Sequence, residues 1–477
     1  MFYKSSGRAV LITVALAQFL VSLDLSVMNV GLPSIQAALG FEAGALSWVI
    51  HAYALTFGGL LLLGGRLADR YGRRRMLLIG LALFAAASLA GGFAVTPGQL
   101  VVARAVQGVG AAALAPAALA LLTATFPSGR ARVRAFGVWS AMNATGGAVG
   151  VLAGGLLTQY AGWQWVMWVS VPMAVVPLGL TWRAVPTDSA GTGGRADVLG
   201  AVLVTAGMGV GVYGVVRTEA HSWTSPVTVA CLGAAVLLLA VFLRVEQTTT
   251  REPIIRPGLL AHRSVAGANL ANLAVGGAMA SAFYFMSLYL QHVLGHSPAQ
   301  AGLEFVPFAL GVVAGAAMST RLGFHLPART LLIAGTLLTA AGFGWFALIS
   351  PDGSFAADVL GPSLVASVGF GLCLGPVVST ATAGAGPEES GAASALLNAS
   401  RQIGASVGLA ALGTAALART GGGLSPEALT RGYSFGLALA AALLLIAAAL
   451  GATVIPRRPS RAEPRPSPIA PERSSLR

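Results

Sequence analysis

Long apolar runs, each ended by a short polar or glycine-rich break, repeat along the whole chain. A helix needs roughly 20 apolar residues to cross about 30 Å of hydrocarbon. Runs of that kind fall near residues 9–30, 46–66, 75–95, 99–126, 134–157, 163–183 and 197–216, and again near 227–245, 266–291, 300–320, 329–349, 357–382, 390–417 and 433–455. The pattern predicts fourteen transmembrane helices, an even number, with both termini on one side.

The basic residues fix the side. Of 29 Lys and Arg, 24 fall in segments that share a side with the N-terminus, Arg217, Arg419 and Arg431 fall opposite, and Arg104 and Arg401 lie inside runs. Cytoplasmic segments carry the excess of Lys and Arg. A multi-pass protein of the cell membrane, with both termini cytoplasmic and lipid around it, is expected. Lys4 and Arg8 precede the first run with no small-residue cleavage site, which predicts a retained helix rather than a signal peptide.

Composition supports the same class. With 56% hydrophobic and 9% charged residues and a mean hydropathy of +0.77, a soluble globule of 477 residues is excluded. A net charge of +13 would suggest nucleic acid in a soluble chain, but here sidedness accounts for it, so no nucleic-acid partner is expected.

Several chemistries are also set aside. Cys231 and Cys373 lie in separate runs, which implies no disulfide framework or metal cluster. Gly209, Gly211 and Gly214 satisfy G-x-G-x-x-G, yet inside an apolar span with no preceding strand. The only Lys is Lys4, so no Gly-Lys pair exists to build an ATP-binding P-loop. His292 and His296 have the spacing of helical metal ligands without an intervening Glu, and read better as interface residues. No cofactor or metal is expected. No spaced His/acid or Ser/Lys pair shares a span, which disfavours an intramembrane enzyme.

The breaks divide the chain into six, two and six spans. Residues 1–183 form a first six-helix bundle and 264–455 a second. Residues 184–263 hold a linker with two additional spans, bracketed by the polar segments Arg183–Asp197 and Arg244–Arg263. Residues 456–477 are rich in Pro, Arg and Ser and are expected to be disordered.

Deep charges are costly in a bilayer, so each is a functional candidate. Asp24 in the first span and Arg104 in the fourth both lie about 9 Å from the outer ends of their helices at 1.5 Å per residue, and are expected to meet. Burial penalises the charged acid and the cation favours it, a balance that conformational change can tip. A proton-coupling pair and a static ion pair are the two readings. Ser22, Ser26 and Asn29 share a helical face that Asp24 does not, so either that stripe packs on a neighbour or the span is irregular. Glu304 reads as a partly hydrated gate near an outer end. Span positions place Trp48, His51, Tyr53, Asn143, Asn269, Asn272, Tyr284 and Tyr289 towards a lumen, with His51 reading slightly better as a hydrogen-bonded packing residue. Asn29, Gln107, Asn398, Arg401 and Gln402 complete the candidate substrate cavity. Arg401 either binds an anionic or carbonyl-rich group or pins its helix to span carbonyls.

The polar stretch GGRLADRYGRRR, Gly64 to Arg75, resembles the signature loop of the major facilitator superfamily, G-x-x-x-D-R-x-G-R-R, with Gly65, Asp69, Arg70, Gly72, Arg73 and Arg74 in the named places. R-A-V-Q-G-V-G from Arg104 resembles its span-4 motif. Gly137, Gly146, Gly150, Gly154 and Gly155 reproduce the glycine spacing of the drug-exporter antiporter motif, with Val151 where Pro is usual. GAASALLNASRQIGASVG around Arg401 resembles the fourteen-span drug:proton antiporter branch, and within it antibiotic exporters of methylenomycin-resistance type. The resemblance implies an all-α major facilitator fold and two bundles alternating access to a central cavity within a monomer. It assigns Asp24 and Arg104 to proton coupling, the Asp69 loop to gating and the glycine face to sliding between bundles. The implied function is proton-driven export of a hydrophobic or amphiphilic compound, without ATP. Proton-coupled import on the same fold is the alternative.

Overall fold

The computed structural model describes residues 2–42, 45–126, 129–186, 197–219, 221–248, 262–382 and 390–456. Among them no strand occurs, and the regular structure is helical throughout. The expected disordered tail, and much of the two polar brackets around the linker helices, lie outside the described residues.

Each apolar run becomes a helical rod: α1 Phe2–Leu39, α2 Trp48–Tyr71, α3 Arg73–Gly92, α4 Pro97–Thr125, α5 Gly129–Tyr160, α6 Gln164–Ala184, α7 Val198–Val216 and α8 Pro226–Thr248. They continue as α9 Arg263–Val293, α10 Pro298–Leu322, α11 Ala328–Phe346, α12 Phe355–Ala381, α13 Ser390–Thr420 and α14 Pro426–Val454. Twelve are long and apolar enough to cross a membrane. A thirteenth, α2, is bent by 51° between Ala45–Leu61 and Leu63–Tyr71, while the apolar stretch Val202–Val215 of α7 is shorter than a usual span. The expected count of fourteen is not fully reached among the described residues: twelve helices qualify as spans, thirteen with the bent α2, and α7 is a shorter apolar helix.

Local sequence sets the helix starts. α4, α10 and α14 each open on a hydroxyl N-cap followed by proline, namely Thr96-Pro97, Ser297-Pro298 and Ser425-Pro426, and each cap accepts a bond from the backbone three residues on. The proline sits where a helix has no N–H partner to lose. Gly72 alone separates α2 from α3. Its φ of 96° is a conformation that costs a side-chain-bearing residue energy, so the turn needs glycine.

The helices pack as two groups with one pattern. In the first, α1 lies on α4, α5 and α6, α2 on α4, and α3 on α4 and α6. In the second, α9 lies on α12, α13 and α14, α10 on α12, and α11 on α12 and α14. Glycines mark equivalent crossings: Gly80 meets Gly110 at α3–α4, and Gly335 meets Gly369 at α11–α12. The groups touch along two matching seams, α2 with α13 and α5 with α10, and also where α1 meets α9. α7 lies on both α2 and α13, and α8 packs on α7.

Among the described residues four side-chain hydrogen bonds cross between the groups, all in the half of the molecule towards the Leu39 end of α1. Ser287 donates to the Asn29 carbonyl at 2.7 Å and Gln291 to the Val30 carbonyl at 3.1 Å. Gln159 accepts from the Ala299 N–H at 3.1 Å, and His51 meets Ser406 at 3.3 Å. The largest apolar core gathers residues of both groups, with Leu23, Val27, Val30 and Ile35 of α1 against Ala282, Phe285 and Leu290 of α9.

Candidate functional site

Asp24 and Arg104 meet inside the first helix group. Both are fully enclosed, at 0% and 1% exposure. Arg104 Nη1 donates to Asp24 Oδ2 at 2.7 Å and to Gln107 Oε1 at 2.7 Å, and Nε donates to the Val49 carbonyl at 3.1 Å. Gln107 Nε2 donates to Asp24 Oδ1 at 3.1 Å and to Ser88 at 2.6 Å. Ser170 donates to Asp24 Oδ1 at 3.3 Å, and the guanidinium lies 4.5 Å from the centre of the Tyr53 ring. Helices α1, α2, α3, α4 and α6 thus converge on one carboxylate. A buried ion pair is tolerable only when both partners also hold neutral hydrogen bonds, as these do.

α1 is a continuous helix through this site, so the face conflict resolves by packing. Ser22 donates to Asn143 Oδ1 on α5, which also accepts from Gln18 Nε2 at 2.7 Å, and the methylene of Ser26 faces Gly150. Ser22 and Ser26 of the polar stripe therefore face α5, Asn29 donates back to the Leu25 carbonyl at 2.8 Å, and Asp24 faces the bundle interior. Ser88, Ser170 and the Val49 carbonyl escaped the sequence reading, because a lone serine in an apolar span carries no pattern.

The glycine motif splits into parts. A Cβ at Gly146, Gly150 or Gly154 would come within 2.6–2.7 Å of the carbonyl oxygens of Phe19, Leu23 and Val27, so these three seat α5 on α1 within one group. Gly155 alone faces the other group, its missing Cβ lying 2.3 Å from the Pro298 carbonyl oxygen. Gly137 has nothing within 4 Å. A smooth surface between the bundles was expected of all five; the backbone contacts give that place to Gly155.

The signature stretch is less a loop than a helix junction. Gly64 through Tyr71 belong to α2, and α3 starts at Arg73. Asp69 is exposed and lies 3.6 Å from Arg73. Arg74 ties the start of α3 to the end of α6 through the Thr181 and Trp182 carbonyls, at 3.3 and 2.7 Å. Arg70 lies over the Tyr71 ring at 5.4 Å. Gly65 leaves room for a Cβ, 3.6 Å from Pro116, whereas one on Gly64 would fall 1.9 Å from the Ala112 carbonyl oxygen. The sterically required glycine is Gly64, one place from the motif position.

Most residues expected to line a lumen are enclosed instead. Tyr53 and Gln107 belong to the Asp24 network. Asn272 donates to the Leu397 carbonyl at 2.7 Å and Asn269 accepts from Ser400 at 2.6 Å, pinning α9 to α13. Tyr284 and Tyr289 are buried, the latter donating to the Ser350 carbonyl at 2.7 Å. His51 and Gln402 are buried at the α2–α13 seam, where His51 Nε2 has no partner. Trp48 packs on the cluster of Leu55, Val212 and Ala410, with its ring 6.4 Å from that of Tyr213 on α7. Glu304, expected to be partly hydrated, is buried, held by His296 at 2.8 Å and Gln300 at 3.3 Å. Asn29, Asn143, Asn398 and Arg401 remain partly exposed.

The fold agrees with that of known proteins. The chain is 41% identical over 455 residues to the cephamycin export protein of Amycolatopsis lactamdurans, covering 95% of this chain and 93% of that one. It is 39% identical over 466 residues to a puromycin resistance protein of Streptomyces alboniger, covering 95% and 92%. Among solved structures, a bacterial homolog of the human lysosomal transporter Spinster, in an inward-facing and unoccupied conformation, superposes with a TM-score of 0.66 over 94% of this chain and 96% of that one, at 19% identity. The family match itself runs over residues 14–409, and by it this multi-pass membrane transporter belongs to the Major Facilitator Superfamily.

Proposed function

We propose that the protein exports a hydrophobic or amphiphilic antibiotic-like compound from the cell in exchange for protons. Similarity along nearly the whole chain to proteins named for cephamycin export and puromycin resistance supports the direction. The observation that carries the coupling is the enclosed Asp24, bonded to Arg104, Gln107 and Ser170 with no route to water in this arrangement. A carboxylate sealed by five helices exchanges its proton only when those helices shift. Its charge state is thereby tied to the pose of the bundle. Protonation removes the charge on Asp24 and leaves Arg104 to the Val49 carbonyl, Gln107 and the Tyr53 face, which loosens the convergence.

In the orientation set by the basic segments, the Asp69 end is cytoplasmic. The seam bonds then lie in the outer half, as expected of a chain closed to the outside. Asp69, Arg70 and Arg73 act as a latch at the inner face, and the working unit is a single chain, since both helix groups and both seams lie within it.

Inverted membrane vesicles test the proposal, with puromycin as the probe. Acidifying the lumen should drive puromycin uptake by the intact protein, and the Asp24→Asn variant should insert normally yet lose that uptake. Uptake by right-side-out vesicles instead would establish import, and undiminished proton-driven uptake by Asp24→Asn would remove Asp24 from the coupling.

A further inference from the structure

Arg401 differs from the other deep charges among the described residues. Arg104 bonds Asp24, Gln107 and the Val49 carbonyl, whereas Arg401, partly exposed, forms no hydrogen bond or ion pair with any described residue. Its helix, α13, is gripped on two opposite sides. Towards α9, a Cβ on Gly276 would lie 2.2 Å from the Arg401 carbonyl oxygen, and Gly404 abuts Leu273. Towards α2, Gln402 meets Gly58 and Ser406 meets His51.

The two remaining sides of α13 differ in character. At 100° per residue, one carries the exposed Val407, as a lipid-facing surface should. Asn398 lies opposite Val407, with Arg401 about 60° from Asn398 and about 120° from Val407. Leu409 and Ala416 of that inner side enter the core shared by the two helix groups. Arg401 therefore sits at the boundary of the α9 contact and the inner side, level with Gly58 near the middle of α2, and partly exposed.

A guanidinium near mid-membrane with five donors and no acceptor among the described residues is costly to keep. Pinning to span carbonyls, the bland alternative, would show as hydrogen bonds from its nitrogens, and among the described residues there are none. No acid among the described residues pairs with it either. What satisfies such a group is a planar anion that accepts two parallel N–H bonds.

We propose that Arg401 binds the carboxylate of an amphiphilic substrate, so that the transported class includes anionic compounds with an apolar body. That the ligand is transported rests on the export reading; the binding itself does not.

The test uses the purified full-length protein in detergent with two fluorescent probes of like shape, 1-pyrenebutyrate and uncharged 1-pyrenebutanol. The intact protein should bind the carboxylate more tightly. Arg401→Gln should weaken 1-pyrenebutyrate about tenfold or more, the scale of a lost charge-assisted bond, and leave 1-pyrenebutanol unchanged; Arg401→Lys should keep part of the preference. Equal binding of the two probes by the intact protein, binding of neither, or an Arg401→Gln variant that still prefers the carboxylate, overturns the proposal. Retained preference in binding with no vesicle uptake of any compound would instead count against export while leaving the Arg401 site standing.

Discussion

At the scale of single residues the two members of the buried pair are not equivalent. Arg104 holds three further partners besides Asp24: the Val49 carbonyl, Gln107 and the face of Tyr53. Removing the acid leaves the cation stacked and bonded, whereas removing the cation leaves a buried carboxylate with only Gln107 and Ser170. Arg104→Gln should therefore lower stability on the order of 3 kcal/mol, as expected for an uncompensated buried charge, and Asp24→Asn should cost less. Because the two groups are coupled, adding Asp24→Asn to Arg104→Gln should recover part of the loss. Thermal melting of the three variants in detergent measures this; a double variant less stable than Arg104→Gln would show that the pair is not the dominant interaction. The pair was legible because charges in apolar runs stand out. Ser88 and Ser170 were not, since serine occurs in such spans for packing alone, and the roles of Tyr53 and Asn272 were misplaced because span position gives depth without direction.

At the scale of helices, the apolar runs gave existence and order, whereas the Ser/Thr-Pro caps that start α4, α10 and α14 went unread. Breaks within a span left no distinctive mark: the interruption of α6 at Val169, and the π-helical turns Tyr289–Val293 and Phe355–Leu360, contain no proline or glycine. The glycine spacing of α5 was readable as a motif, but its partner was not, because a glycine face fits whichever backbone approaches it. The contacts now separate the glycines by consequence. Gly150→Leu would drive a side chain into the Leu23 carbonyl, one residue from Asp24, and should destabilise by roughly 1–3 kcal/mol or more while disturbing coupling. Gly137→Ala meets nothing and should raise stability by up to about 1 kcal/mol, the usual gain of alanine over glycine in a helix. Heat treatment followed by size-exclusion chromatography would rank the two against the parent; equal losses would mean that Gly137 has a neighbour in another conformation.

At the scale of the whole molecule, two helix groups with one packing pattern meet along seams whose bonds lie towards the Leu39 end, and α7 lies across one seam by touching both α2 and α13. The cluster of Leu55, Val212 and Ala410 joins one residue from each of these three helices, so parting that seam must free α7 from one side. The other seam depends on a close backbone approach, with Gly155 against Pro298 and Gly302 against Val151. A side chain at position 155 cannot coexist with it, because even a Cβ would lie 2.3 Å from the Pro298 carbonyl oxygen. Gly155→Val should therefore insert normally yet fail to close this end, and transport should stop with the chain held open towards Leu39. Ser287, fully enclosed at the α1–α9 contact, supplies the reporter. With Cys231 and Cys373 replaced, a Ser287→Cys thiol should react slowly with a membrane-impermeant reagent applied from the Leu39 side in the parent, and at least several-fold faster when Gly155→Val is added. Unchanged labelling together with retained transport would show that the α5–α10 approach is not required for closure, and would move the barrier to the α2–α13 seam, where His51 and Ser406 meet beneath α7.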